Sequence, residues 1–164
     1  MRKIAILQLC AAMLLVVTLI GCGSSDGGDI ARSYLKACYE EDAKEMVSLV
    51  PSAVIDDIMS EYKCSKQQLI EAVEVELSYE SKDYSDCSEV STAHFMEDIE
   101  KNEYDDFFDR RVEIDLDKIS GMQTYRVDVS DNRYYSNLSV FKYGSKWYSV
   151  DAANFVAYAV WEKY

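Results

Sequence analysis

Three aspartates in the second half of the chain have a spacing that could support acid–base chemistry: Asp115, Asp117 and Asp128. A carboxylate enclosed beside a cavity can have a raised pKa and act as a general base. On a solvent-facing strand, the same residues only make the sheet surface polar. Apolar residues alternate with the acids through 112–116 and would fill the opposite face of a strand, so the pattern favours a solvent-facing position. The residues therefore predict no catalytic group.

The only histidine of the chain is His94. A Cys–His pair with Cys64 or Cys87 would be one arrangement for nucleophilic chemistry. A metal site or a histidine-based acid–base pair usually needs more such residues, and the chain has no CxxC motif. We therefore predict a histidine at the surface or at a strand edge, and no metal or other cofactor.

An acidic run lies between Glu97 and Asp109, with a few aromatic residues inside it. Acidic side chains could bind calcium loosely, but the run has neither the glycine nor the alternating ligand spacing of an EF-hand loop. We predict a short, solvated helix with aromatic anchors. The seven acids are Glu97, Asp98, Glu100, Glu103, Asp105, Asp106 and Asp109.

Cys22 stands at the end of a targeting segment. Arg2 and Lys3 precede a largely apolar run that ends in Leu19-Ile20-Gly21-Cys22, the lipobox pattern of a bacterial lipoprotein signal. The small Gly21 lets a peptidase approach the next bond, and the Cys22 thiol can carry a thioether-linked diacylglycerol. We predict cleavage before Cys22, lipidation at Cys22 and anchoring on the outer face of the cell membrane.

Two other interpretations of this segment are an uncleaved transmembrane anchor and a plain secretory signal. The apolar run has about the length that a membrane span needs. The flanking pattern argues against the uncleaved anchor, and a plain signal would leave Cys22 unexplained. We therefore expect a signal peptide at 1–21, a flexible Gly/Ser tether at 22–28 and one domain at 29–164.

The charge of the chain excludes some partners. It has 30 acidic and 17 basic residues, a formal net charge of −13. Loss of 1–21 removes Arg2 and Lys3 and brings the net charge to −15. Nucleic acids and anionic membrane surfaces are bound through clustered Lys and Arg, so we predict no nucleic-acid partner and no polybasic membrane contact.

Three cysteines remain once Cys10 leaves with the signal and Cys22 is lipidated. The outside of a cell permits disulfides, and Cys64 and Cys87 flank the same predicted helix. Cys64–Cys87 is the favoured pair if a bridge forms. Cys38 falls on an apolar helical face, which is typical of a small core residue.

Helices dominate the first half of the mature chain. Apolar spacings of three and four residues predict a helix after an Asp29 cap, then a turn opened by an Asp42–Glu45 capping box. A short helix should follow a Ser52 cap. Ser65 and Gln68 form a further capping box that opens a longer helix.

Strands dominate the second half. Residues 88–92 could form a short strand, and from Val112 the apolar period changes from 3.6 to 2. Strands are predicted over 112–117, 124–129, 134–143 and 146–150. Asp131-Asn132 and Gly144-Ser145 should form tight turns between strands. The apolar tail from Ala152 to Trp161 fits a strand extension or a short helix, so the order of elements predicts an α+β fold.

The chain resembles small lipoproteins of Gram-positive bacteria that carry an NTF2-like (cystatin-like, SnoaL-like) domain. The resemblance rests on the lipobox and tether, the opening helix Ala31–Ala37, the acidic break before Pro51 and the hairpin from Val140 to Tyr148. It implies N-terminal helices packed on a curved antiparallel sheet that forms a cone with an open end. In that family the cone is an enzyme pocket or a binding surface.

Aromatic residues are dense in the predicted meander, where they suit a ligand pocket, a protein interface or a sheet core. The candidate pocket or interface residues are Tyr125, Tyr134, Tyr135, Phe141, Trp147 and Tyr148. No catalytic motif of the family's enzymes matches this chain. We expect a lipid-anchored, non-enzymatic domain that binds a small ligand, a peptide or an envelope partner through the concave sheet face. The alternatives are an enzyme that uses a strand carboxylate and a tyrosine, and a structural component of an envelope complex.

Overall fold

The computed structural model describes residues 26–80, 90–129 and 134–164, and the fold they form is α+β. Four helices come first, followed by a four-stranded antiparallel sheet and a final helix. The helices are α1 (Gly27–Tyr39), α2 (Ala43–Ser48), α3 (Ser52–Tyr62), α4 (Lys66–Glu80) and α5 (Val150–Lys163). The strands are β1 (Val90–Asp98), β2 (Ile119–Val129), β3 (Tyr134–Tyr143) and β4 (Lys146–Ser149), in the spatial order β1-β2-β3-β4.

Local sequence signals explain where two of the helices begin. Asp42 Oδ1 accepts hydrogen bonds from the backbone N–H groups of Lys44 and Glu45, at 3.1 and 3.0 Å, and caps α2 as predicted. The predicted capping box before α4 is also confirmed. Gln68 Oε1 accepts from Ser65 N–H at 2.9 Å, and Ser65 Oγ accepts from Gln68 N–H at 3.3 Å.

Two predicted helix starts are wrong. The first helix begins at Gly27 after an Asp26 cap, not after Asp29, so the domain takes in the last residues of the predicted 22–28 tether. The third helix has Pro51 at its N-cap position with no side-chain hydrogen bond, and Ser52 is its first helical residue. The fixed φ of proline suits the start of a helix, so the chain turns there without a serine cap.

The sheet is curved and does not close on itself. Its register places Tyr125 opposite Leu138 and Gln123 opposite Val140, on the face that the helices cover. Met122 lies opposite Phe141 on the other face. Helix α1 contacts all four strands of the sheet, so the predicted packing of N-terminal helices on a curved antiparallel sheet is confirmed.

The main hydrophobic core lies between the helices and the covered face of the sheet, and a smaller core lies on the opposite face. Leu35, Met46 and Val73 are among the helical residues of the main core. The smaller core comprises Tyr104, Ile119, Met122, Phe141 and Val150. Both faces of the sheet therefore bury apolar residues.

The acidic segment and the first predicted strand differ from expectation. β1 extends through Asp98, where it pairs with Gln123, and a 3-10 helix covers Lys101–Phe107 in place of the predicted helix. Close like charges disfavour a regular α-helix, while the buried Tyr104 ties the segment to the smaller core. The apolar residues near 112–116 form no strand, and a second 3-10 helix spans Leu116–Lys118.

Helix α5 explains why residues 108–115 stay irregular. Asn154 Nδ2 donates to the Phe107 carbonyl at 2.9 Å, and Asn154 Oδ1 accepts from Asp109 N–H at 2.8 Å. The Arg111 guanidinium stacks over the Trp161 ring, with 4.1 Å from Cζ to the centroid. Through these contacts the segment binds to α5. It therefore does not pair with a strand of the sheet.

The turn before β4, the C-terminal tail and the first strand can be compared with the remaining predictions. The Gly144-Ser145 turn is confirmed, with Gly144 at a φ of 63°. The tail is the helix α5, and the short strand predicted at 88–92 is the start of the longer β1. The signal peptide at 1–21, Cys22 and the Asp131-Asn132 turn lie outside the described residues. Within the described ranges, no helix has the length and apolar character to span a membrane.

Candidate functional site

The aromatic residues proposed as one pocket or interface lie on two faces of the sheet. Tyr125 is half-buried on the helix-covered face, where its hydroxyl donates to Gln123 Oε1 at 3.0 Å. Burial raises the pKa of the Tyr125 hydroxyl above its ordinary value. Phe141 is fully buried on the opposite face, 5.2 Å from the Phe108 ring centroid. These two residues therefore belong to the packing of the protein.

The other candidates lie in β3 and in the edge strand β4. Trp147 is half-buried against the main core, and Tyr148 stacks in a tilted arrangement with Phe141 at 5.9 Å between ring centroids. Tyr134 and Tyr135 lie in β3, but their side chains are outside the described part of the protein. Of the four candidates whose side chains are described, Tyr148 lines a cleft beside β4.

A cleft of about 580 Å³ lies between α2, α3, the start of α4 and β4. We call it the lysine cleft. Its volume falls in the range of small-molecule sites, about 300–1,000 Å³. Its apolar wall consists of Val47, Val50, Ile55, Met59 and Ile70. Most of these residues also belong to the main core or pack against it, so the wall is held by the fold itself.

The polar rim of the lysine cleft is mainly cationic. Lys44, Lys66 and Lys146 line it, together with one carboxylate, Asp56, and the phenol of Tyr148. All three lysines are exposed. Within the described ranges, none of the three forms a salt bridge. The rim therefore offers three ammonium groups beside an apolar wall.

The three lysines come from three separate elements. Lys44 lies in the first turn of α2, Lys66 is the first residue of α4 and Lys146 is the first residue of β4. A backbone hydrogen bond from Ser149 N–H to the Leu49 carbonyl, at 3.0 Å, joins the end of β4 to the end of α2. This bond brings Lys146 and Tyr148 to the helices that carry the other two lysines.

A second polar arrangement lies on the sheet face away from the helices. Asp128 is 6% exposed, and its Oδ1 accepts a hydrogen bond from Arg126 Nε at 2.9 Å. Its Oδ2 lies 3.1 Å from His94 Nε2, and the Ser91 hydroxyl donates to its carbonyl at 2.9 Å. The Asp128 carboxylate is therefore engaged at both oxygens and joins β1 to β2.

The remaining acids of the sequence analysis have structural partners. Asp115 lies 3.2 Å from Lys118 Nζ, and Asp117 lies 3.0 Å from Lys101 Nζ. Both carboxylates are exposed, so neither is enclosed beside a cavity. The acids of β1 and of the following 3-10 helix are likewise exposed. No group of three or more histidine, cysteine or acidic residues suited to a metal occurs in 26–80, 90–129 and 134–164.

His94 lies on the edge strand β1 with 55% of its side chain exposed, as predicted for a histidine at a strand edge. Its contact with Asp128 was not predicted, because the two residues lie on different strands. Cys64 is buried, and burial raises the pKa of its thiol above the ordinary value. Its predicted partner Cys87 lies outside the described residues, so the disulfide stays a prediction.

Comparison with known proteins finds no relative: no protein-family model, no curated protein and no solved structure matches the chain. The candidate site therefore rests on its geometry.

Sequence reasoning missed the lysine cleft. It singled out aromatic residues of the meander and did not consider the lysines of the helices. An indirect signal was available, because cations are scarce in this chain and Lys44, Lys66 and Lys146 each lie at or near the start of a predicted element. That signal does not show that the three lysines meet.

Proposed function

We propose that this protein is a lipid-anchored, extracytoplasmic binding domain that takes a small ligand in the lysine cleft. The observation that supports the proposal is the cleft itself, an apolar wall with a polar rim and the volume of a small-molecule site. The proposal keeps the expected non-enzymatic binding role. It moves the binding site from the sheet, whose one face α1 covers, to the cleft beside β4.

The anchor is supported by the sequence around Cys22. Replacing Cys22 by Ser removes the thiol that a diacylglycerol would modify, so Cys22→Ser should move the protein from the membrane fraction to the soluble fraction. Cys10→Ser is the matched control, because Cys10 lies inside the predicted signal peptide. An unchanged membrane fraction for Cys22→Ser would contradict the anchor.

The residues around the cleft support binding over catalysis. Among the described residues that line the lysine cleft there is neither a histidine nor a cysteine, and the one carboxylate there, Asp56, is exposed. Asp128 is the buried member of the three aspartates considered as general bases, and both of its oxygens already have partners. A general base must lie within hydrogen-bond reach of the proton that it removes, and Asp128 is not among the residues that line the lysine cleft.

A native mass spectrum tests the binding role. The mature protein would be extracted from its own host with a non-ionic detergent that is removed in the gas phase. We expect a mass excess that disappears on denaturation. Ser52→Trp should abolish this excess, since Ser52 is an exposed lining residue and an indole there would occupy the cleft.

Ser60→Trp is the matched control for Ser52→Trp. Ser60 is exposed on the same helix, outside the cleft lining, and should keep the mass excess. If the native mass spectrum of Ser52→Trp still shows the mass excess, the ligand binds elsewhere and the proposed site is wrong. A clean mass for the unmodified chain would contradict a tightly bound ligand.

A further inference from the structure

We propose that the ligand of the lysine cleft is an anionic amphiphile, a single alkyl or acyl chain that ends in a carboxylate or a phosphate. This inference rests on the proposed function and adds the chemical class of the ligand. It is drawn from three rim lysines that form no salt bridge with any described residue, and from the apolar wall beneath them.

The rim gathers three cations on a protein whose net charge is strongly negative. The chain has a net charge of −13, so an anion approaching most of its surface meets repulsion. Among the described lysines outside the cleft, Lys36, Lys101, Lys118 and Lys163 lie within 4.0 Å of a carboxylate, whereas Lys63 and Lys142 do not. The lysines at the cleft have no such partner within the described ranges, although acidic residues are abundant. Their charges therefore remain available to a ligand.

Lysine suits the anionic group of such a ligand. Its ammonium group is a compact charge on a flexible stem, so lysines from three elements can converge on one carboxylate or phosphate without a fixed geometry. Asp56 is the one opposing charge in the lining. An anion at the rim is therefore attracted by three ammonium groups and repelled by one carboxylate. A cation there is repelled by three groups and attracted by one.

The apolar wall suits the chain of the ligand. Val47, Val50 and Ile55 are buried, and the half-buried Met59 and Ile70 complete the wall. Each methylene group transferred from water to such a wall strengthens binding about fourfold. Methionine is flexible and fits irregular shapes, which suits an alkyl chain. Because Val47, Val50 and Ile55 are only 4–6% exposed, the apolar surface that a chain would cover comes mainly from Met59 and Ile70.

The test uses amphiphiles that share one chain length and differ in charge. The protein would be the mature chain from residue 22 with Cys22→Ser, which needs no detergent. Isothermal titration would measure binding of decanoate, decyl phosphate, decyltrimethylammonium and acetate, each below its micelle concentration. We expect decanoate or decyl phosphate to bind at least about tenfold more tightly than the cationic amphiphile, since three charges contribute. Acetate should bind far more weakly than decanoate because it has no chain.

Two triple variants locate the site. Lys44→Gln, Lys66→Gln and Lys146→Gln together should weaken binding of the anionic amphiphiles about tenfold. The control combines Lys36→Gln, Lys101→Gln and Lys163→Gln, which changes the net charge equally but lies outside the cleft lining. The control should stay within about twofold of the unmodified chain, because screening weakens distant charges.

Each contrary result overturns a defined part of the inference. Equal binding of decanoate and decyltrimethylammonium would show an apolar site without charge selection, and the proposed function would stand. Equal loss in both triple variants would show a general charge effect. If none of the amphiphiles binds, or if an acidic peptide displaces decanoate completely and binds more tightly, the ligand class is wrong. The native mass spectrum of Ser52→Trp decides the proposed function independently of these results.

Discussion

Gly27 and Tyr125 are in direct contact where the first turn of α1 crosses β2. A Cβ atom at position 27 would lie 2.8 Å from Tyr125 Cε2 and 2.9 Å from Val140 Cγ2. These distances are too short for an unstrained carbon contact, so the close approach of α1 to the sheet requires glycine there. The relationship also explains why the domain begins before the predicted Asp29 cap.

Gly27→Ala should therefore destabilise the protein. The added methyl group would push α1 away from Tyr125, and overpacking of this kind costs about 1–3 kcal/mol. Chemical denaturation would measure the loss in the free energy of unfolding. Gly121→Ala is the control, since a Cβ at Gly121 would meet Trp147 Cη2 at an ordinary 3.8 Å. Equal stability of the two variants would contradict the close packing.

The hydrogen bonds of Asp128 predict a stability effect on the other face of the sheet. Asp128→Asn should lower the free energy of unfolding by about 1–2 kcal/mol, because it removes the negative charge that Arg126 and His94 face in a buried position. Asp117→Asn should have little effect, since the Asp117 side chain is 91% exposed in its pair with Lys101. Urea denaturation of both variants would compare them, and a neutral Asp128→Asn would contradict a structural role.

Two serines at helix starts should differ in their contributions. Ser65→Ala removes the capping box of α4 and should cost about 1 kcal/mol in the free energy of unfolding. Ser52→Ala should be nearly neutral, because no side-chain hydrogen bond caps α3. Thermal denaturation would detect the difference. A larger loss for Ser52→Ala would mean that its hydroxyl caps α3 after all.

Asp151 predicts a pH dependence of stability. Burial raises the pKa of this carboxyl to about 6, and the hydrogen bond from Ser139 N–H at 2.9 Å only partly opposes the shift. The folded protein therefore holds the proton at a pH where the unfolded chain has released it. The contribution of Asp151 is favourable below the unfolded pKa of about 3.9 and is lost as the pH rises through about 6.

Asp151→Asn should remove this dependence. The change in the free energy of unfolding caused by Asp151→Asn should be more favourable at pH 7 than at pH 4, by about 1–2 kcal/mol. This value is reduced because the residue is partly exposed. Asn can still accept the hydrogen bond from Ser139. Urea denaturation at the two pH values would measure the change, and a difference independent of pH would contradict the raised pKa.

Much of the fold followed from local patterns. The capping residues Asp42 and Ser65 predicted two helix starts, and the alternation in 124–129 and 134–143 predicted two strands. Predictions failed where a distant contact overrode a local pattern. Hydrogen bonds from Asn154 to Phe107 and Asp109 hold the chain just before 112–116 against α5, and the predicted strand there does not form. Gly27 of the predicted tether belongs to α1, which packs closely against Tyr125.

The sequence by itself determined the order of helices and strands, the α+β class and the basis for predicting an anchor at Cys22, because each depends on residues close together in the chain. Only the tertiary structure brought Lys44, Lys66 and Lys146 to one cleft and His94 to Asp128. These groups are far apart in sequence, and no periodic pattern encodes their meeting. Their positions depend on the packing of α2, α3 and α4 beside β4 and on the register between β1 and β2, which many weak contacts set together.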